Sequence, residues 1–249
     1  MSERTTQTTV QAAKKKVQRC IVPDCAAVFG LREHIYVCPR CGGPLEIDCR
    51  FEHADGAATI RKSWEARASS PDSRDRNGVW RYRELLAFDD GVPIVTLFEG
   101  NTLLYEAPRC AEYCGLRALR LKHPRWNPTG SFKDTGMTVA VTQAVLLGAR
   151  TADCASTGNT AASLAAYSAR AGLQGTILVP NGQITAAKLA QSMDYGATVC
   201  EIDGNSDDCM RLIQELGDDP SVYIANSINP FRIEGQKTVA FELMQQCSL

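Results

Sequence analysis

The chain has 249 residues, 44% of them hydrophobic and 22% charged, with 27 Lys and Arg against 28 Asp and Glu for a formal net charge of −1. This length can bury a sizeable core in one large domain or two modest ones, and the balanced charge excludes the basic signature of a polyanion binder. A small-molecule substrate and no nucleic acid are therefore expected. No run of about 18 apolar residues exists to cross a bilayer, and the start MSERTTQTTVQAAKKK lacks the apolar core of a secretory signal, so no membrane partner and a cytoplasmic location are expected.

Residues 1–17 are polar and read as a mobile tail, with Lys14 to Lys16 as a solvated charge run. Residues 18–50 form a cysteine-rich segment. Cys20-x4-Cys25, twelve residues, then Cys38-x2-Cys41 followed by Gly42 and Gly43, is spaced like a zinc ribbon. A structural zinc on Cys20, Cys25, Cys38 and Cys41 is expected, with His34 and Cys49 as substitute ligands. The chain has eleven cysteines, an odd number, which favours reduced thiols over a disulfide framework. Cysteines 110, 114, 154, 200, 209 and 247 are expected as small buried hydrophobes. The charges around the ribbon are mixed in sign, which again disfavours nucleic acid.

Residues 51–91 are charged, with a loop at ASSPDSRDRNG. Short strands follow at 117–122, 151–155, 175–179, 198–202 and 221–225, and helices at 131–148, 159–171, 184–195, 206–217 and 231–246. Strands alternating with helices of this length predict an α/β fold, a largely parallel sheet covered on both faces. Ligands of such sheets sit where strand ends feed into helix N-termini.

Three loops lie at such places. In NPTGSFKD, Ser131 reads as an N-cap, Asp134 completes a capping box, and Lys133 stands in the first turn of an apolar and therefore buried helix. Its cation opposes the helix dipole, and burial lowers its pKa towards a reactive neutral amine. In STGNTAAS, hydroxyls of Ser156, Thr157 and Thr160 and the amide of Asn159 accompany open backbone N–H groups suited to an anion. In NSINPFR, Asn229 caps a helix that begins at Pro230, and Arg232 in its first turn suits a phosphate.

The segment LKHPRWNPTGSFKDTG resembles the cofactor-lysine segment of the fold type II pyridoxal-phosphate enzymes, the tryptophan synthase β-like family. Together with STGNTAAS and NSINPFR it looks most like the threonine synthases. The resemblance implies two sheet domains with pyridoxal 5′-phosphate between them. Residues 51–130 would be the N-terminal part of a large domain, 131–222 a small α/β domain, and 223–249 the start of a returning large-domain segment. It implies Lys133 as covalent cofactor anchor and proton shuttle, and Asn159 beside the 3′ oxygen of the ring. Ser156, Thr157, Asn159 and Thr160 would hold the carboxylate of O-phospho-L-homoserine, and Asn226, Ser227 and Arg232 its phosphate. Water and this substrate would give L-threonine and phosphate. Thr135 departs from the family's KDRG pattern, with Arg125 as a candidate replacement for the arginine. The family's glycine-rich phosphate loop and its Ser or Thr for the pyridine nitrogen are absent, as expected of a chain truncated at its C-terminus. A β-replacement enzyme like the cysteate or cysteine synthases, and an inactive truncated remnant, are the alternative readings; a homo-oligomer is compatible with each.

Overall fold

The structure, a computed structural model, describes residues 16–49, 56–182 and 186–247. Residues 1–15 of the expected tail lie outside the described residues. Lys16 and Val17 already belong to the first strand of an antiparallel ribbon, because they pair with Cys49 and Asp48 and the Val17 side chain is buried. That ribbon has the order β2-β1-β3, from β1 (Lys16–Cys20), β2 (Val28–Gly30) and β3 (Leu45–Cys49). Its small core is Cys20, Ala27, Cys38 and Leu45. Too few apolar groups meet here to hold a domain of this size by burial alone, so a second stabilising device is needed.

Next come α1 (Gly56–Ala68) and α2 (Ser73–Arg76), the latter inside the expected loop and capped by Asp72, whose Oδ1 accepts from Arg74 N at 2.8 Å. A 3-10 turn at Trp80–Leu85 buries Trp80 and Tyr82. β4 (Leu104–Glu106), α3 (Pro108–Tyr113) and β5 (Arg120–Lys122) form a small antiparallel pair bridged by a short helix. The strand expected over 117–122 is thus only its last half; β4 is three residues long and offers register partners to 120–122 alone.

The main layer begins with α4 (Lys133–Leu147), then β6 (Thr151–Ala155), α5 (Asn159–Ala171), β7 (Gln174–Pro180), α6 (Ala186–Asp194), β8 (Thr198–Ile202), α7 (Ser206–Leu216) and β9 (Val222–Ile224). These strands make a parallel sheet of order β8-β7-β6-β9, in agreement with the α/β expectation. Every residue of α4 from Asp134 to Ala144 is buried, as an all-round apolar sequence requires. Each fully buried Met137, Val141 or Leu164 contributes roughly 1.5–3 kcal/mol through area removed from water. Gly148 ends α4 and Gly172 ends α5 in the left-handed conformation that glycine adopts without strain.

The expected single helix 231–246 is two helices, α8 (Pro230–Gln236) and α9 (Thr238–Gln246). The break falls at Lys237, which lies between the two helices, beside the bond that the Thr238 hydroxyl donates to Gly235 O at 2.7 Å. Among the described residues no helix is long and apolar enough to cross a membrane.

Candidate active site

Two cationic side chains meet because two helices touch backbone to backbone. α4 and α8 cross at Gly136 and Gly235, where a Cβ on Gly235 would lie 2.1 Å from Thr135 O and one on Gly136 would lie 2.7 Å from Arg232 O. Only glycine permits that approach. It brings Lys133, the first residue of α4, close enough to Arg232 of α8 for the guanidinium to act on its charge.

The lysine turn is built differently from a capping box. The Ser131 hydroxyl accepts from Lys133 N at 3.2 Å, but Asp134 does not return to Ser131. Instead its Oδ2 accepts from Thr129 N at 2.7 Å, and its Oδ1 accepts from the hydroxyls of Thr129 and Ser163, both at 2.6 Å. The reason is burial: Asp134 is 0% exposed, so its carboxylate takes the donors inside the core. Through Ser163, Asp134 ties the lysine turn to α5, the helix that opens with STGNT. Lys133 is half-buried, with its Nζ 4.1 Å from the centroid of the Phe132 ring. Burial first, then the positive Arg232, push its amine below the ordinary lysine range.

The second loop meets the same corner. No side chain caps α5, whose N-cap is Gly158, so its first N–H groups face outward. Ser156, Thr157 and Thr160 are half-buried and Asn159 is exposed, while the Ser156 hydroxyl accepts from Gly158 N at 3.3 Å. The third loop follows β9 as expected: Asn229 Oδ1 accepts from Phe231 N at 3.0 Å and Pro230 opens α8. Arg232 is 2% exposed. One terminal nitrogen donates to Ala225 O at 3.0 Å and the other approaches the Thr160 hydroxyl at 3.5 Å, but among the described residues Nε has no partner. Asn226 is committed to the backbone: it accepts from Ala155 N and donates to Ala155 O, both at 3.0 Å, fastening the loop to the end of β6. Ser227 is exposed on the same turn.

A buried guanidinium with an open N–H, a lysine of lowered pKa and an uncapped helix N-terminus together form a corner that favours anions. These residues fit pyridoxal 5′-phosphate, whose aldehyde requires a neutral amine, and they fit a second anionic ligand beside it. Thr135 is buried with its hydroxyl donating to Phe132 O at 2.8 Å. Arg125, expected as a substitute for the missing arginine, lies exposed in the 3-10 turn Pro124–Trp126.

Behind the corner stands a support that lies outside the three loops. Glu99 is fully buried, accepting from Tyr167 of α5 at 2.5 Å and from Asn77 at 2.7 Å, while Gly100 N donates to Asn127 at the head of the lysine turn at 2.8 Å. Three neighbouring positive φ values, at Phe98, Gly100 and Asn101, shape that strap. The pair Gly100-Asn101 was the sequence signal that could have marked it.

At the ribbon, the sulfurs of Cys20, Cys25, Cys38 and Cys41 lie within 4.8 Å of one another, with Cys20 to Cys41 at 3.5 Å and Cys25 to Cys38 at 3.7 Å. A tetrahedral Zn–S4 centre spaces its sulfurs about 3.8 Å apart, so this donor set fits zinc, which would supply the device that the small ribbon core needs. A Cβ at Gly43 would stand 2.5 Å from a methyl of Val22 and 3.2 Å from the sulfur of Cys41, so glycine lets this turn lie close against the cluster. The expected substitute ligands are elsewhere: His34 pairs with Tyr36 and Cys49 with Glu234. Cys154 and Cys209 are buried as expected, and Cys200 and Cys247 are partly so. Cys110 and Cys114 are exposed, because α3 turns only Ala111 inward.

Residues 95–249 match the family of pyridoxal-phosphate dependent enzymes. The chain is 46% identical over 231 residues to a threonine synthase of Methanocaldococcus jannaschii, covering 92% of this chain and 54% of that one. It is 42% identical to a threonine synthase of Methanosarcina acetivorans, at 92% and 53% coverage. With a threonine synthase of Mycobacterium leprae the identity is 51% over 164 residues, 66% of this chain and 45% of that one. The chain thus spans about half the length of these relatives. Among solved structures, the cysteine synthase of Entamoeba histolytica shares the fold with a TM-score of 0.55 at 20% identity, covering 60% of this chain and 48% of that one. The diaminopropionate ammonia lyase of Escherichia coli does so with a TM-score of 0.53 at 18% identity, covering 62% and 51%. With a match over more than half its length that takes in the lysine turn and both anion loops, the chain belongs to the pyridoxal-phosphate dependent enzymes.

Proposed function

We propose that this chain carries the lysine and substrate-anion corner of a threonine synthase, acting on O-phospho-L-homoserine and water to give L-threonine and phosphate. The observation that carries the reading is Arg232: a guanidinium 2% exposed, with a free Nε–H, beside the amine of Lys133. A buried cation with an unfilled donor is costly unless an anion completes it. The relatives named threonine synthase, at 42–51% identity, support a phosphorylated amino acid as that anion.

Pyridoxal 5′-phosphate, when bound, supplies an aldehyde for the amine and a ring that takes up electron density from the substrate carbon. Lys133 would hold the cofactor through its amine, and the neutral amine would accept a proton at the substrate Cα and move protons at Cβ. Its lowered pKa leaves a larger neutral fraction near neutral pH than an exposed lysine has, and a general base needs that fraction. The N–H groups at the start of α5, with Ser156, Thr157 and Thr160, would hold the substrate carboxylate, and Asn159 would contact the cofactor ring. Arg232 with Ser227 holds the phosphate; Asn226 fixes their loop to β6 and so sets where the phosphate rests. Holding both ends of the substrate fixes the leaving group at Cγ and leaves Cβ for water. The division into 51–130, 131–222 and 223–249, a small-molecule substrate without nucleic acid, and zinc at the four cysteines are parts of the same reading.

The test is phosphate release from O-phospho-L-homoserine by the protein supplied with pyridoxal 5′-phosphate, with threonine identified as product. Sulfide- or sulfite-dependent turnover of O-phosphoserine in its place would overturn the substrate assignment.

A further inference from the structure

The cysteine ribbon is docked on the backbone that carries Arg232. Tyr36, two residues before Cys38, accepts through its Oη from Ile224 N at 2.7 Å. Ile224 ends β9, and this N–H belongs to the last residue of the strand before the anion loop. The other groups of this junction are spent on the same loop. Asn229 Nδ2 donates to Ile224 O at 2.6 Å, Ala225 N donates to Asp153 O at 2.9 Å, and Arg232 donates to Ala225 O. Tyr36 is itself held, by His34 Nε2 at 2.6 Å and by edge-to-face packing on Tyr223, on which His34 stacks at 8°. Two further contacts join the ribbon to α8: Cys49 Sγ lies 3.8 Å from Glu234 Oε1, and Leu31 and Ile47 pack on the cluster that contains Phe231.

We infer that Tyr36 is a positioning residue for the substrate phosphate: its hydroxyl closes the end of β9 and so fixes the backbone carbonyl that aims Arg232. The cysteine cluster then has a task beyond holding the ribbon together. Val37 bridges to Pro44 across the cluster, so the order of the four cysteines sets the position of Tyr36. The inference rests on the reading of Arg232 as a phosphate ligand.

The experiment measures inorganic phosphate binding by calorimetry and amide exchange at Ile224 by NMR, for the whole chain and its Tyr36→Phe, His34→Phe and Arg232→Leu variants. Tyr36→Phe keeps the ring and removes the hydroxyl that accepts from Ile224 N and pairs with His34. It should weaken phosphate binding about tenfold and speed exchange at Ile224 by a similar factor, the effect of orphaning a partly buried N–H. His34→Phe keeps an aromatic ring against Tyr223 and releases the tyrosine hydroxyl from its partner, so a smaller loss in the same direction is expected; this variant carries the test if Tyr36→Phe does not fold. Phosphate affinity in the tyrosine and histidine variants equal to that of the parent, with binding lost in Arg232→Leu, would overturn the inference and leave the phosphate site standing. No phosphate binding by the parent chain would overturn both.

Discussion

Replacing Gly235 with alanine tests the helix crossing on which the site depends. The added Cβ would sit 2.1 Å from Thr135 O and 2.9 Å from both Gly136 Cα and a methyl of Val139. Ordinary contacts between such atoms are more than 3 Å, so α8 must retreat from α4 by about an ångström, against backbone rather than a movable side chain. Overpacking of this kind costs about 1–3 kcal/mol. Alanine also gains about 1 kcal/mol over glycine in a helix interior, which offsets part of that cost. The difference leaves a loss of stability of up to about 2 kcal/mol for Gly235→Ala, read in urea titrations. The same retreat carries Arg232 away from Lys133, so inorganic phosphate should bind the variant at least about tenfold more weakly, as expected when a charge-assisted hydrogen bond is lost. A variant as stable as the parent, with unchanged phosphate affinity, would refute the claim that glycine contact sets the site.

Asp134→Ala leaves Thr129 N–H without an acceptor and should cost about 1–3 kcal/mol in urea titrations, whereas Asp134→Asn, which can accept from that N–H and donate to both hydroxyls, should cost less. Burial raises the Asp134 pKa despite these bonds, so its share of stability is present at low pH and is lost as pH rises through the folded value; the gap between parent and Asp134→Asn should narrow from pH 4 to pH 7. Lys133 reacts as the neutral amine, and its lowered pKa places the inflection of its aldehyde-labelling rate at lower pH than that of exposed lysines; Arg232→Leu removes a cation and should move the inflection up, as read by peptide mass spectrometry. Lys122 and Glu242 form a buried pair at 2.7 Å, with side chains 10% and 4% exposed. Lys122→Met alone should therefore cost about 3–5 kcal/mol in urea titrations by stranding the carboxylate, and Lys122→Met with Glu242→Met should recover most of it.

What the sequence made legible was local. The αβ alternation, the three strand-to-helix loops and the Asn229 cap follow from periodicity and short-range capping chemistry, and β6, α5 and β8 fall where the pattern placed them. The spacing of the four cysteines likewise marked a cluster that the structure assembles. What escaped the reading was set by burial and by partners distant in sequence. Asp134 has the spacing of a capping box, but a carboxylate held in the core turns to Thr129 and Ser163, 5 and 29 residues away. Glu99 and Tyr167 meet across 68 residues, and no local pattern announces such a pair. Cys110 and Cys114 look like small core residues in composition and are exposed, because a helix as short as α3 has one inward position. Gly136 and Gly235 carry no turn signal either, since their role is a tertiary contact between two helices.

The central claim is that the Lys133 amine is the attachment point of pyridoxal 5′-phosphate in this chain. Titrating the protein with that compound, reducing with borohydride and mapping the adduct by peptide mass spectrometry tests it directly. One stable adduct is expected, on Lys133, with occupancy that falls in Arg232→Leu as the lysine pKa rises. Labelling spread over exposed lysines, with Lys133 unmodified, would contradict it.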